Sequence, residues 1–422
     1  MKLLKKTVLV IVPHPDDELS IAGGLVSRLV KNGYVVKVVI VTNGDAEILG
    51  EIRIKESIKG LSILGVKRQN IIFLGYGNRW EGNTHIYNKD DKEILCSLAK
   101  YKTTYSIATH REYHYKKYKE PAMYKRENLF DDMKCCIEDV HAEIIICVDF
   151  DSHPDHRATS LLFEECMGEI IMCTDYRPII LKRFAYAFAW HDSYSKSLKK
   201  ISRYRVFDSR YQLDNPYYNW RDRIVYKLVD DKLSDLRMCF ATLAYPSQNA
   251  KSHIRQLLKK EMVFWNRRTD NLIFDATINV SSGDKKYLYD FKRFDCKNVN
   301  LRERVNFWKA EAWIPDEDDC YKTVYIEWIK SVYVSYLVVY PALSEFSEIL
   351  DCVIKLDEKV YHTGYLQPDN PKKIYIEKSI CKMAIRIDKF IGEKPGISEI
   401  EIYSNGEQDF LDCFSQSVAK LS

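Results

Sequence analysis

Nowhere does the 422-residue chain carry an uninterrupted apolar run of about 18 residues, the length a membrane-spanning helix needs. The basic start, Met1 to Lys6, is followed by only a short apolar run, Val8 to Val12, before a polar motif begins. That run is too short for the core of an export signal, so the expectation is a soluble, cytoplasmic protein with no transmembrane segment. Charge of one sign is equally scarce. The 64 Lys and Arg nearly balance 60 Asp and Glu, for a net charge of +4, and no overall field calls for a nucleic-acid partner. The twelve cysteines include no Cys-x-x-Cys pair, and only Cys135 and Cys136 are adjacent. This excludes a thiolate zinc knuckle and a redox dithiol, and predicts reduced, mostly buried thiols. Internal repeats and low-complexity tracts are also lacking.

What the chain has is length and 46% hydrophobic content, enough to bury a large core and to form more than one domain. The first part alternates between strand and helix patterns. Val8 to Val12, Val35 to Val41 and Ile71 to Leu74 read as buried strands, with helical spacing over Leu19 to Lys31 and Ile52 to Leu64. A helix over Asn128 to Val140 and a strand over Glu143 to Val148 resume the pattern after a long Tyr- and His-rich stretch, Tyr76 to Arg126. Such βαβ alternation predicts an α/β, Rossmann-like doubly wound, mainly parallel sheet, and a loop of that length inside it is usually functional or mobile.

After about Asn271 the period changes to two. Val324, Ile326 and Trp328, then Val332, Val334, Tyr336 and Val338, then Ile374 with Ile376, Met383 with Ile385 and Ile387, and Ile400 with Ile402 alternate with other residues. This predicts an all-β sandwich, with Trp308, Trp313 and Trp328 in its core. The expected division is residues 1–268 and 272–422.

Two motifs carry chemistry. Pro13-His14-Pro15-Asp16-Asp17-Glu18 follows the first strand, and Ser152-His153-Pro154-Asp155-His156 follows the Glu143 to Val148 strand. Either alone fits a turn or a helix cap. Two of them at the carboxyl ends of parallel strands, where open α/β sheets bind ligands, point to a site. A catalytic zinc takes three protein ligands and keeps a position for water, and His14, Asp17 and His156 would supply two imidazoles and a carboxylate. Iron, cobalt or nickel also suit such donors. Asp16 would then be a base for the metal-bound water. The metal and a cationic His153 would stabilise the developing oxyanion, and His153 or a protonated Asp16 would protonate the leaving amine.

These residues resemble the PIG-L/LmbE family of zinc-dependent N-acetylglucosamine deacetylases. The first motif matches as Pro-His-Pro-Asp-Asp-Glu and the second as His-Pro-Asp-His-Arg, ending in Arg157. Thr42-Asn43-Gly44-Asp45, Arg53 with Glu56, Phe73-Leu74-Gly75 and Ala244-Tyr245-Pro246-Ser247-Gln248 are similar to further family segments. The resemblance implies one zinc per chain held by His14, Asp17 and His156, Asp16 as base and His153 as the electrostatic or acid group. It also implies that Arg53 contacts substrate hydroxyls. Asn78 and Asp151 depart from the family pattern and mark where sugar specificity is expected to differ.

His114 and His191 are further candidates for substrate contact, and the Lys- and Tyr-rich run from His110 to Arg126 for the mouth of the site. The C-terminal part resembles the discoidin-like, coagulation-factor type C modules, through Ala312-Trp313-Ile314 and Pro395 to Tyr403. The resemblance implies a galactose-binding-like fold that either binds a glycan or packs against the catalytic domain.

The expected activity is removal of acetyl from an N-acetylated amino sugar or glycan. The alternatives are hydrolysis of another acyl or ester bond, and a glycan-binding or assembly protein with a relic catalytic domain. The relic reading expects a lost ligand, which the complete set of motif residues does not show.

Overall fold

The computed structural model describes residues 6–421 except 79–84, 186–189, 193–203, 207–214, 216, 219–221, 249–256, 295–310, 345–346, 357–358, 368–370 and 406–412. Trp308 and the side chain of His191 lie outside the described part.

The first sheet is built on β1 (Thr7–Val12), β2 (Val35–Thr42), β3 (Ile71–Tyr76), β4 (Ile144–Val148) and β5 (Ile179–Arg183). All are parallel, in the spatial order β3, β2, β1, β4, β5. β1 and β4 are almost completely buried, which is why their sequences are continuous apolar runs rather than alternating ones. Beyond β5 the sheet turns antiparallel through β9 (Glu261–Arg267) and β8 (Ile224–Leu228). β6 (Trp190–Asp192) and β7 (Tyr204–Val206) form a separate two-stranded ribbon.

The helices are α1 (Gly24–Lys31), α2 (Gly50–Ile63), α3 (Tyr113–Tyr118), α4 (Arg126–Val140), α5 (Pro154–Cys173) and α6 (Lys232–Thr242). α6 packs on α1 and α2, and α4 on α5. The helix read from Leu19 opens as a π-helical turn over Leu19–Gly23, a widening that recurs beside functional sites. Among the described residues no helix is long and apolar enough to cross a membrane. The eleven described cysteines are all free thiols; five are buried, while Cys173, Cys320 and Cys381 are exposed.

The C-terminal part is all-antiparallel β. β10 (Thr277–Val280), β11 (Thr323–Pro341), β12 (Glu348–Leu356), β13 (Lys359–His362), β14 (Lys372–Ile391) and β15 (Ile397–Tyr403) join one six-stranded sheet. It folds around its own core, which includes Trp313 and Trp328.

The two-residue period in β11 does not run straight through. A register shift between Val334 and Tyr336 adds a residue to one strand, and such a bulge turns the following side chains to the other face. Val334, Leu337 and Val339 therefore face the second core, whereas Tyr336, Val338 and Tyr340 pack into the first. The expectation that Val332, Val334, Tyr336 and Val338 share one face is thus corrected by a single bulge.

The two parts are joined by buried ion pairs. Arg267 of β9 reaches both carboxylate oxygens of Glu399, at 2.9 and 2.7 Å, and also pairs with Glu401. The end of the chain returns to the first sheet. β16 (Ala419–Leu421) pairs antiparallel with β8 at its edge, and Cys413, Phe414 and Val418 pack into the first core.

Candidate metal centre and active site

β1 and β4 are adjacent, with Val8 opposite Ile144 and Ile11 opposite Cys147. The winding of the sheet reverses between them, with β2 and β3 outward of β1 and β5 outward of β4. At such a reversal the loops at the carboxyl ends part and leave a crevice. Both motifs leave the sheet there.

Three donor atoms converge in it. His14 Nδ1 is 2.9 Å from Asp17 Oδ2, and His156 Nε2 is 3.2 Å from that oxygen and 3.3 Å from His14 Nδ1. Ligand bonds of ~2.0 Å around a tetrahedral zinc give ligand separations of roughly 3.3 Å. The triangle thus has the dimensions of three ligands on one ion, and all three side chains are buried. His14, His153 and His156 also bring ring nitrogens within 4.8 Å of one another. That second set is looser, and His153 Nδ1 faces the Asp155 amide at 3.2 Å as the N-cap of α5. The Asp17 triangle is the better fit to a single cation.

Each imidazole of the triangle is held from behind by a carboxylate. His14 Nε2 is 3.0 Å from Asp155 Oδ2, and His156 Nδ1 is 2.9 Å from Asp151 Oδ2. With these N–H groups donating outward, the remaining lone pairs face the triangle, the arrangement that orients metal-bound histidines. Asp155 has a second partner, His85, whose Nε2 lies 2.6 Å from Oδ1. His85 Nδ1 accepts from the Tyr87 amide, so its proton sits on Nε2.

Burial alone would raise the Asp17 and Asp155 carboxyls. The neighbouring His156 and His14 outweigh it for Asp17, and hydrogen bonds to His14 and His85 outweigh it for Asp155, so both stay well below the usual carboxylate range. Against the opposing effect of burial, Asp155 and Asp17 raise His14, and Asp151 and Asp17 raise His156. Three buried carboxylates, Asp17, Asp151 and Asp155, around two imidazoles form a nest for positive charge, whether as protons or as a metal ion.

Asp16 and Asp17 are parted by backbone geometry. Asp16 has φ 106°, a strained conformation for a residue with a Cβ and of the kind that clusters at functional sites. The Asp16 side chain is 34% exposed, while that of Asp17 is 4% exposed. Asp16 Oδ1 accepts from Arg53 Nη2 at 3.1 Å. Desolvation and the Asp17 charge push the Asp16 carboxyl up to about 7 against the pull of Arg53, a basicity suited to proton transfer near neutrality.

His153 is different. Burial, with repulsion from His14 and His156, pushes it down to about 2. The cationic His153 expected from the sequence is therefore corrected to a neutral ring, its Nδ1 accepting at the helix cap and its Nε2 carrying the proton.

A network under the first motif explains the remaining family-like segments. Arg53 donates to Gly44 O at 2.8 Å and to Pro15 O at 2.6 Å, so its guanidinium shapes the turn that carries Asp16. A Cβ on Gly44 would lie 2.3 Å from Arg53 Nη1, which reserves that position for glycine. Glu18 Oε1 accepts from the Tyr245 hydroxyl at 2.5 Å, and Oε2 from the Asp16 amide at 2.8 Å. Glu56 accepts from Ser247 N and Oγ at 2.9 and 2.5 Å. Tyr245→Phe, which strips a donor from fully buried Glu18, is expected to lower stability by about 1–3 kcal/mol. Urea unfolding at neutral pH would measure it, and an unchanged midpoint would show that this bond is not a support.

The other residues singled out from the sequence are dispersed. Asn78 is buried, its side-chain oxygen 2.6 Å from Thr42 Oγ1 and its amide donating to Asp45 at 2.8 Å. His114 Nδ1 lies 2.7 Å from Asp132 Oδ1 on α4, bonded to that helix rather than to a motif residue. His191 lies on the β6–β7 ribbon. Asp151, expected to bear on the sugar, is buried beneath His156 and also accepts from the amides of His153 and Ala185. The Lys- and Tyr-rich run folds as α3 and its flanks. Tyr124 is buried with its hydroxyl on Gly77 O, and Arg126 pairs with Asp91 and Glu165. Sequence reasoning gave no role to Asp155 or His85. Asp155 stood inside a quoted motif, and His85 in the stretch already marked by its length and its histidines.

The chain is similar to several known proteins. Residues 9–167 match the family model described as PIG-L, GlcNAc-PI de-N-acetylase. A probable N-acetylglucosaminyl-phosphatidylinositol de-N-acetylase of Dictyostelium discoideum is 34% identical over 98 residues, 23% of this chain. The chain spans only 38% of that relative's length. An N,N'-diacetylchitobiose deacetylase from Pyrococcus horikoshii superposes with a TM-score of 0.36 at 17% identity, over 63% of this chain and 84% of that one. A deacetylase of the teicoplanin biosynthetic pathway gives 0.36 at 13% identity, over 63% and 99%. A family 32 carbohydrate-binding module from C. perfringens NanJ, solved with galactose, gives 0.23 at 15% identity, over 30% and 93%. The family match runs from within β1 into α5 and contains His14, Asp17 and His156.

Proposed function

We propose that the chain is a zinc-dependent hydrolase that removes the acetyl group from an N-acetylated amino sugar of the N-acetylglucosamine type. The observation that carries this reading is the convergence of His14 Nδ1, Asp17 Oδ2 and His156 Nε2 within 3.3 Å of one another, with Asp16 beside them. These three residues would hold one zinc per chain, and zinc so held supplies Lewis acidity and lowers the pKa of water. Asp16, fixed by Arg53, accepts the proton of the attacking water. The neutral His153 places an Nε2–H where a developing oxyanion can receive it. Asp16, once protonated, returns a proton to the departing amine. Arg53 acts chiefly by holding the Asp16 turn, and contacts with sugar hydroxyls by Arg53, Asn78, His114 and His191 remain part of the proposal.

Residues 1–268, with the returning tail, make up the hydrolase domain in this reading, and residues 272–422 an appended module with a glycan as candidate ligand. A reducing compartment such as the cytoplasm suits cysteines that form no disulfide among the described residues. The complete ligand set favours an active enzyme over a relic. The test is acetate release from a panel of free, nucleotide-linked and lipid-linked N-acetyl sugars by zinc-loaded protein. Release from at least one is expected. Failure on all of them, with esters or other N-acyl compounds cleaved instead, would move the reading to another bond.

A further inference from the structure

A cleft of about 100 Å³ lies where the first sheet meets the second, away from the metal centre. Its walls are aromatic: Tyr217, Tyr218 and Trp265 from the first part, and Tyr336, Tyr340 and Tyr403 from β11 and β15. All six are buried. Tyr218 and Trp265 stack with their planes 8° apart, and Tyr336 and Tyr403 have ring centroids 5.3 Å apart. Exposed Asp222 and Lys373 stand at the rim.

The polar groups in and behind these walls balance. Arg293 is bonded to Glu401 at 2.8 and 3.1 Å, and Tyr340 donates to Glu401 at 3.0 Å. Arg268 is paired with Asp270 and bonded to the Tyr336 hydroxyl at 3.0 Å. With Arg267 and Glu399 behind them and Lys373 and Asp222 at the rim, basic and acidic side chains are equal in number, so the cleft carries no excess charge to attract an ion.

Two groups are left over, Arg267 Nε behind the walls and one hydroxyl in the cleft lining itself. The Tyr403 hydroxyl is buried and has no hydrogen-bond partner among the described residues. An orphaned buried hydroxyl costs free energy unless something fills the site opposite it.

We propose that this junction cleft is a binding site for a single neutral sugar residue. A sugar ring offers an apolar face for aromatic walls and, around its edge, hydroxyls that both donate and accept. The cleft supplies both needs, with tyrosine and tryptophan faces, with the Tyr403 hydroxyl inside, and with Lys373 as donor and Asp222 as acceptor at the rim. Its size decides the length of the ligand. A water needs roughly 10–15 Å³ by the same measure, so there is room for several waters or one partly inserted ring, and none for an oligosaccharide or an acyl chain.

The cleft is tied to the catalytic loop. Tyr217 closes one wall, and Asn215, two residues earlier, donates to Asp149 at 3.2 Å, just before Asp151 and the second motif. A residue bound here would be a further unit of the glycan that the metal centre works on. Only that last step, and the choice of N-acetylglucosamine as first probe, rest on the hydrolase reading.

The test is equilibrium titration of the full chain, stripped of metal so that turnover does not intervene, with N-acetylglucosamine, N-acetylgalactosamine and galactose, followed by NMR. Saturable binding of at least one sugar is expected. Tyr403→Phe is expected to weaken it about three- to tenfold, the worth of one hydrogen bond. Its unfolding midpoint should stay the same or rise, because the lost hydroxyl had no partner to lose. Lys373→Ala at the exposed rim should also weaken binding without touching the fold. Absence of saturable binding, or wild-type affinity in both variants, would leave a water-filled seam and overturn the proposal. Because binding is read without metal, failure of the hydrolase reading would leave this result standing, and the converse holds.

Discussion

Asp16→Asn is expected to lower acetate release by about 10²- to 10⁴-fold, the usual worth of a positioned base, while zinc still binds one to a chain. The two halves of this expectation come from one turn. Asp17 points inward to the histidines and Asp16 outward to Arg53, so removing the outer charge leaves the triangle untouched. Asparagine keeps an oxygen that can accept from Arg53, and it tolerates positive φ better than most residues with a side chain. The variant should therefore fold and melt near the wild type. Measurement of kcat beside metal content by atomic absorption would separate the effects. Full activity in this variant would remove Asp16 from the chemistry, whereas loss of zinc would make it a ligand.

Asp155→Asn is expected to weaken zinc affinity about 10- to 100-fold, the usual effect of removing a carboxylate behind a metal-bound histidine. Asp155 holds His14 through Oδ2 and His85 through Oδ1, and an amide can receive only one of these N–H groups on its oxygen. Asp151→Asn should act alike through His156. In both variants acetate release should fall at limiting zinc and recover as zinc is raised, which distinguishes a weakened site from a misfolded one. A competition titration against a chromophoric chelator measures the affinity. An unchanged constant would mean that the two carboxylates only fill space.

The parallel sheet was legible because β1 and β4 bury nearly every side chain and read as continuous apolar runs, and β2 is interrupted only by Lys37 before its closing Thr42. The motifs were legible because Pro, His and Asp crowd the strand ends. Four things were hidden. The bulge at Val334 to Tyr336 depends on how β11 pairs with β14, and no local pattern announces it. The roles of Asp151 and Asp155 depend on which ring nitrogen each carboxylate faces, a matter of tertiary placement. The neutrality of His153 follows from burial beside His14 and His156, which spacing does not reveal. The returning strand β16 was hidden as well, since Ala419–Leu421 is too short for any periodicity.

The most direct test of the account is zinc titration of chelator-stripped protein with acetate release as the readout. The stripped protein should be inactive, and activity should rise linearly with added zinc and stop at one equivalent per chain. Activity that survives stripping, or that never appears on any N-acetyl sugar although one zinc is bound, would contradict it.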